Sequence, residues 1–173
     1  KVMQYKPRNI TELSSFVAAV RPAFKSMLPI FLERRHFDYG IPALDRLVQT
    51  REMTSSFIIF QEQIMKILQS AGFTAPDSYA AIKAISKKKA EKVLKLKEQF
   101  TEGFTRLTGD PAATEKVWTI INDATSYLFN ASHAVCVALD SLYGAYLKAH
   151  YPLEFYTALL SNYAQKGDKD RIS

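Results

Sequence analysis

Apolar residues spaced three and four apart constrain this chain more than any other feature. Val93, Leu96, Phe100, Phe104 and Leu107 make one stripe, and Ile10, Leu13, Phe16, Val17 and Val20 make another. Val117, Ile120, Ile121, Ala124 and Tyr127 make a third. That step suits one face of an α-helix and cannot sit still in a strand. Punctuation agrees with it. Asn9 with Glu12 reads as a capping box, Asp110-Pro111 as an N-cap followed by Pro, and Gly72 as a helix stop. Pro42, Pro76 and Pro152 each stand where a helix begins, and Pro29 bends or splits one over 24–34.

The spacing predicts an all-α fold: a single domain of about eight or nine helices over 1–164, with a polar, frayed tail over 165–173. Residues 134–147 are apolar on nearly every side, so this helix is expected to be central and buried, with Cys136 a small core residue. Phe57-Ile58-Ile59-Phe60 is apolar and β-branched, and a short strand is the one departure from helix that the pattern allows. The run Gln61-Glu62-Gln63 enters the next helix, and its polar side chains are expected to tie neighbouring elements together rather than to meet a ligand.

Composition matters mainly through charge. The net charge is +6 over 173 residues. Residues 83–97 hold seven lysines against Glu91, which accounts for the whole excess. Local basic patches of this kind usually meet phosphate. A helix starting near Ser86 would place Lys87, Lys88 and Lys89 at an anion-binding N-terminus. A helix running through from Tyr79 would make the same lysines a solvated face, which composition alone favours. A second polar group, Asn130, Ser132 and His133, precedes the most apolar helix. It reads equally as a phosphate site at a helix N-terminus or as a capping motif with His133 packed.

Several functions are excluded. One cysteine rules out an internal disulfide framework and a Cys-rich zinc site, and fits a reducing, cytoplasmic setting. The six glycines form no phosphate-binding loop, and His36, His133 and His150 have no metal spacing. Asp168 and Asp170 are better read as a solvated end than as metal ligands. The longest charge-free run, 124–139, is too short and polar to span a bilayer. No signal-peptide pattern follows Lys1, and the missing initiator Met is expected of a piece of a longer protein. No catalytic residue and no metal site are expected within the chain.

Five stretches then fall into one order. Arg21-Pro22-Ala23, Phe60-Gln61-Glu62-Gln63-Ile64-Met65, Ile82-Lys83-Ala84-Ile85-Ser86-Lys87-Lys88, Phe129-Asn130-Ala131-Ser132-His133-Ala134 and the run from Ala145 to Phe155 resemble the RPG, YQEQVM, RRAMGKK, FNKSHA and AYLKAHYPxEF signatures of the polymerase subunit of bacterial DNA polymerase III. The resemblance implies the helical fingers region of that replicative polymerase. It implies a parent enzyme that joins nucleotides on a DNA primer-template, with other domains of the same chain and replisome proteins as partners. Magnesium would be held by palm aspartates outside this chain.

Carried over position by position, the resemblance makes Lys83, Lys87, Lys88, Asn130 and His133 the candidates for the triphosphate of an incoming dNTP. Lys92 and Lys95 are the candidates for DNA backbone. Two expected cations are missing, since Ile82 and Ala131 stand in their places, and an Arg has become Lys83. Other lysines of the patch then substitute for them, or the parent is a divergent or inactivated polymerase. The competing reading is a non-catalytic helical module that binds nucleic-acid backbone or a protein through its lysine face.

Overall fold

The computed structural model describes residues 1–21, 24–51, 55–126 and 128–167. Within them ten helices follow one another: α1 (Val2–Tyr5), α2 (Ile10–Ala19), α3 (Leu28–Leu32), α4 (Pro42–Val48), α5 (Gln61–Ser70), α6 (Ala75–Ser86), α7 (Ala90–Thr108), α8 (Pro111–Ala124), α9 (Ala131–His150) and α10 (Pro152–Gln165). The fold is all-α. The count exceeds the expected one because α1 is a single turn with no stripe to reveal it. The helix expected over 24–34 shrinks to the five residues of α3, with Pro29 in its first turn. Tyr127 and residues 168–173, where the end of a stripe and most of the polar tail were expected, lie outside the described residues, as do Pro22 and Ala23.

Capping follows the sequence closely. Asn9 accepts from the Glu12 N–H, Thr74 from that of Asp77, and Asp110 from those of Ala112 and Ala113. Each satisfies a donor that the first helical turn leaves open. Glu12 has a second task. Arg34 donates to both its carboxylate oxygens at 2.8 Å and also reaches the carbonyls of Tyr5 and Lys6. This fork pulls the Glu12 carboxyl down to about 2.

Two apolar clusters make the core. The larger surrounds α5, where Ile64, Ile67 and Leu68 meet Leu44, Val48, Phe100, Phe104, Val117 and Ile121, all buried. The smaller gathers Tyr5, Phe24, Phe31, Phe57 and Ile59 against Ala18, Ala19 and Ala134. Residues 57–60 run between the two, with Ile58 in one cluster and Phe57 and Ile59 in the other. That alternation is what an extended chain dictates.

The expected strand is nevertheless absent. Among the described residues the segment makes one isolated parallel bridge, Phe60 with Phe129. Gln63 stands in for a sheet partner. Its Oε1 accepts from the N–H groups of Ile59 and Phe60 at 2.9 Å, and its Nε2 donates to the carbonyls of Phe57 and Val48. Three of the four contacts are buried and the one from Phe60 is partly so; an unpaired backbone group in the interior would cost about 1–3 kcal/mol.

Three further expectations are corrected. Leu107 is 51% exposed. The last turn of α7 closes instead on a hydroxyl cluster of Thr105, Thr108 and Thr114. Helix α9 is not central. Only Ala134 and Ala138 on it are buried, against α2, whereas Leu142, Tyr143, Tyr146 and Leu147 are exposed. Cys136 is exposed too. An apolar pattern says that a helix gains from burial, not that the chain supplies a partner for every face.

Candidate functional site

The lysine-rich segment adopts neither of its two expected forms. Helix α6 stops at Ser86, and α7 starts at Ala90. Lys87, Lys88 and Lys89 are the joint between them. Lys88 N–H bonds to the Ile85 carbonyl and Lys89 N–H to that of Ala84, with Lys88 at φ +50°. This is a Schellman closure with lysine at the position that glycine favours. Lys83 and Lys87 therefore sit at the carbonyl end of α6, where cations are favourable, while Lys89 and Lys92 sit at the amide end of α7, where they are not.

The joint folds Lys83, Lys87, Lys89, Lys92 and Lys95 around one groove of about 470 Å³ between α6 and α7. Its floor is apolar, formed by Phe73, Ala81, Ala84 and Leu96. Asp77 is the sole acid lining it and is engaged by the Thr74 hydroxyl at 2.6 Å. Lys83 lies over the Tyr79 ring at 4.3 Å. Among the described residues Lys87, Lys89, Lys92 and Lys95 form no ion pair, whereas Lys97 leaves the patch to pair with Glu115 at 2.6 Å. Positive charge gathered with so few acid partners suits a polyanion. Lys88 departs from this group. It lines a separate cleft of about 350 Å³ with Asn122, Thr125 and Ser126.

Asn130 and His133 form the third place. Asn130 caps α9, its Oδ1 accepting from the His133 N–H at 2.9 Å. Its Nδ2 donates to Glu62 at 3.0 Å, and the Ala131 N–H donates to both oxygens of the same carboxylate. Glu62 thus occupies the amide end of α9, where the residue pattern had equally allowed a phosphate. The carboxylate is the anion that this end of the dipole favours. His133 stays exposed, with its ring 5.1 Å from that of Phe129. The five candidates for the triphosphate thus fall in three places: Lys83 and Lys87 in the groove, Lys88 in the cleft behind it, and Asn130 and His133 at α9.

The sequence names two contributors without placing them. Lys89, a candidate at a helix N-terminus, belongs to the groove, which only the bend at Lys88 reveals. Glu62 links two signatures that stand 68 residues apart. The expected tying role of the Gln61-Glu62-Gln63 run is the signal that pointed towards it. Among the described residues no three His, Cys, Asp or Glu side chains cluster as metal ligands, and no helix is long and apolar enough to cross a membrane.

The structure is thus an all-helical unit with five lysines lining one groove. The family described as the bacterial DNA polymerase III alpha subunit finger domain matches residues 1–107. The DNA polymerase III alpha subunit of Mycoplasma genitalium is 32% identical over 173 residues, covering 99% of this chain and 20% of that protein. That of Campylobacter jejuni is 34% identical over 95% of this chain, and that of Bacillus subtilis 34% over 97%. The chain therefore belongs to the bacterial DNA polymerase III alpha finger-domain family, and it spans a fifth or less of the length of these relatives.

Proposed function

We propose that residues 1–164 serve as the fingers of a DNA-directed DNA polymerase and bring the triphosphate of the incoming dNTP to a catalytic centre on another part of the parent chain. The observation that carries this reading is the acid-poor joint of α6 and α7, where Lys83, Lys87 and Lys88 sit in the stretch that resembles the RRAMGKK signature. Their ammonium groups would donate to non-bridging phosphate oxygens and offset charge that grows in the transition state. Lysine is a point charge rather than a fork, so these contacts attract the triphosphate without fixing its orientation. His133 would add a donor from α9, and Asn130 would act by holding that turn in place.

Polymerases use divalent ions, magnesium in this reading. In this reading palm aspartates outside this chain would hold it, and this chain supplies charge and position. The groove also supports a second contact. It continues along α7 past the triphosphate candidates to Lys92 and Lys95, which would follow DNA backbone.

The test is nucleotide insertion by the full-length polymerase carrying Lys87→Glu and Lys88→Glu. The apparent KM for dNTP should rise at least about ten-fold, because each charge-assisted contact contributes roughly 1.5–3 kcal/mol. Unchanged kinetics would refute the reading. Salt-steep DNA binding with no nucleotide effect would favour the non-catalytic module instead.

A further inference from the structure

Arg21 belongs to one of the five signatures, yet nothing above gives it a task. Its guanidinium carbon lies 3.8 Å from the centroid of the Phe129 ring. His133 packs on the same ring, with centroids 5.1 Å apart. The guanidinium and the imidazole are thus no more than about 9 Å apart, the two separations taken end to end. Both groups border the same ring.

The platform beneath them is fixed. Phe129 N–H bonds to the Ile59 carbonyl, and its own carbonyl accepts from Gln61. The next residue, Asn130, is held by Glu62. Arg21 is half-buried and forms no ion pair among the described residues. Stacking orients a guanidinium while leaving its in-plane N–H donors free. Glu62, the acid that secures this turn, is already engaged by Asn130 and Ala131. A pre-oriented cation with no carboxylate partner among the described residues, beside an exposed imidazole, is suited to receive an anionic oxygen pair.

We infer that Arg21 is a further nucleotide-binding residue, donating to the triphosphate from the Phe129 platform beside His133. It supplies a cation where the signature's lysine is replaced by Ala131. The inference rests on the fingers reading above and adds a fork where the lysines supply only point charges.

The experiment uses the full-length polymerase and insertion of dATP opposite a template thymine. Its readouts are KM and kcat, primer-template Kd by anisotropy, and Tm. Arg21→Ala should raise KM for dATP about ten-fold or more, with Kd for DNA and Tm nearly unchanged. Arg21→Lys should recover part of the loss, since charge returns without the fork. Arg21→Gln should behave as Ala does, and it replaces Ala if that variant loosens the end of α2. An unchanged KM, or a fall in Tm, DNA affinity and kcat together, would overturn the inference. The Lys87→Glu, Lys88→Glu variant in the same assay separates the two ideas. If it raises KM and the Arg21 variants do not, the inference alone fails. If neither does, the fingers reading fails with it.

Discussion

Gly103 gives a test in which local and tertiary physics disagree in sign. It lies inside α7, where alanine is the better helix former by about 1 kcal/mol. On propensity alone Gly103→Ala should stabilise. The tertiary structure says otherwise. A Cβ at Gly103 would stand 1.8 Å from the Ala71 carbonyl oxygen and 2.7 Å from its carbon. These are backbone atoms at the end of α5, so no side chain can swing aside. Relief requires α7 to back away from α5, opening the contact that buries Phe100 and Phe104 completely. Overpacking of a tight core costs about 1–3 kcal/mol and more when backbone must move, so the net loss should be about 2 kcal/mol after the propensity gain. In a chain of this size that lowers Tm by roughly 4–8 °C. Urea denaturation of the isolated chain measures it. Gly144→Ala in α9 is the control, because nothing lies within 4 Å of its Cβ position. It should gain about 0.5–1 kcal/mol. A Gly103→Ala protein as stable as the parent would refute the close approach of α5 and α7. Helix α7 also carries Lys92 and Lys95, so a shift of α7 would move one wall of the lysine groove.

Two further predictions concern stability. The Glu12 carboxyl titrates near 4.5 when unfolded and near 2 when held by Arg34, so its contribution is complete above about pH 4.5 and is lost as pH falls towards 2. Partial solvation leaves about 1–2 kcal/mol at stake. Arg34→Ala should flatten the acid limb of a stability-pH curve over that range, and an unchanged limb would discount the pair. Lys88→Gly should stabilise the chain by about 1 kcal/mol in urea titration, because it relieves a left-handed lysine. A loss of stability would show that the Lys88 side chain contributes more to its cleft than its backbone strain costs.

The same contrast between local and distant causes decides what could be read in advance. The caps at Asn9 and Asp110 and the α8 stripe of Val117, Ile121 and Ala124 were legible, because helix caps and periodicity are written within four residues. The bend at Lys88 was not. Lys88 closes α6 with left-handed backbone, and lysine carries no local signal for it. The bend decides which cations share a groove, so Lys89 joined it and Lys88 left it. At α9 the residues permitted either a phosphate or a cap; the cap forms, and Glu62 joins it from 68 residues away.

Residue types and spacing alone determined that this chain is helical, that its charge excess is confined to residues 83–97 and that it resembles the fingers of a bacterial replicative polymerase. Tertiary structure alone decided which faces are covered. Periodicity records how much a face gains from burial, but a partner exists only where another segment reaches it. Gln63 therefore replaces a strand partner at 57–60 and Gly103 admits the backbone of Ala71, while the apolar flank of α9 beyond Ala138 stays open.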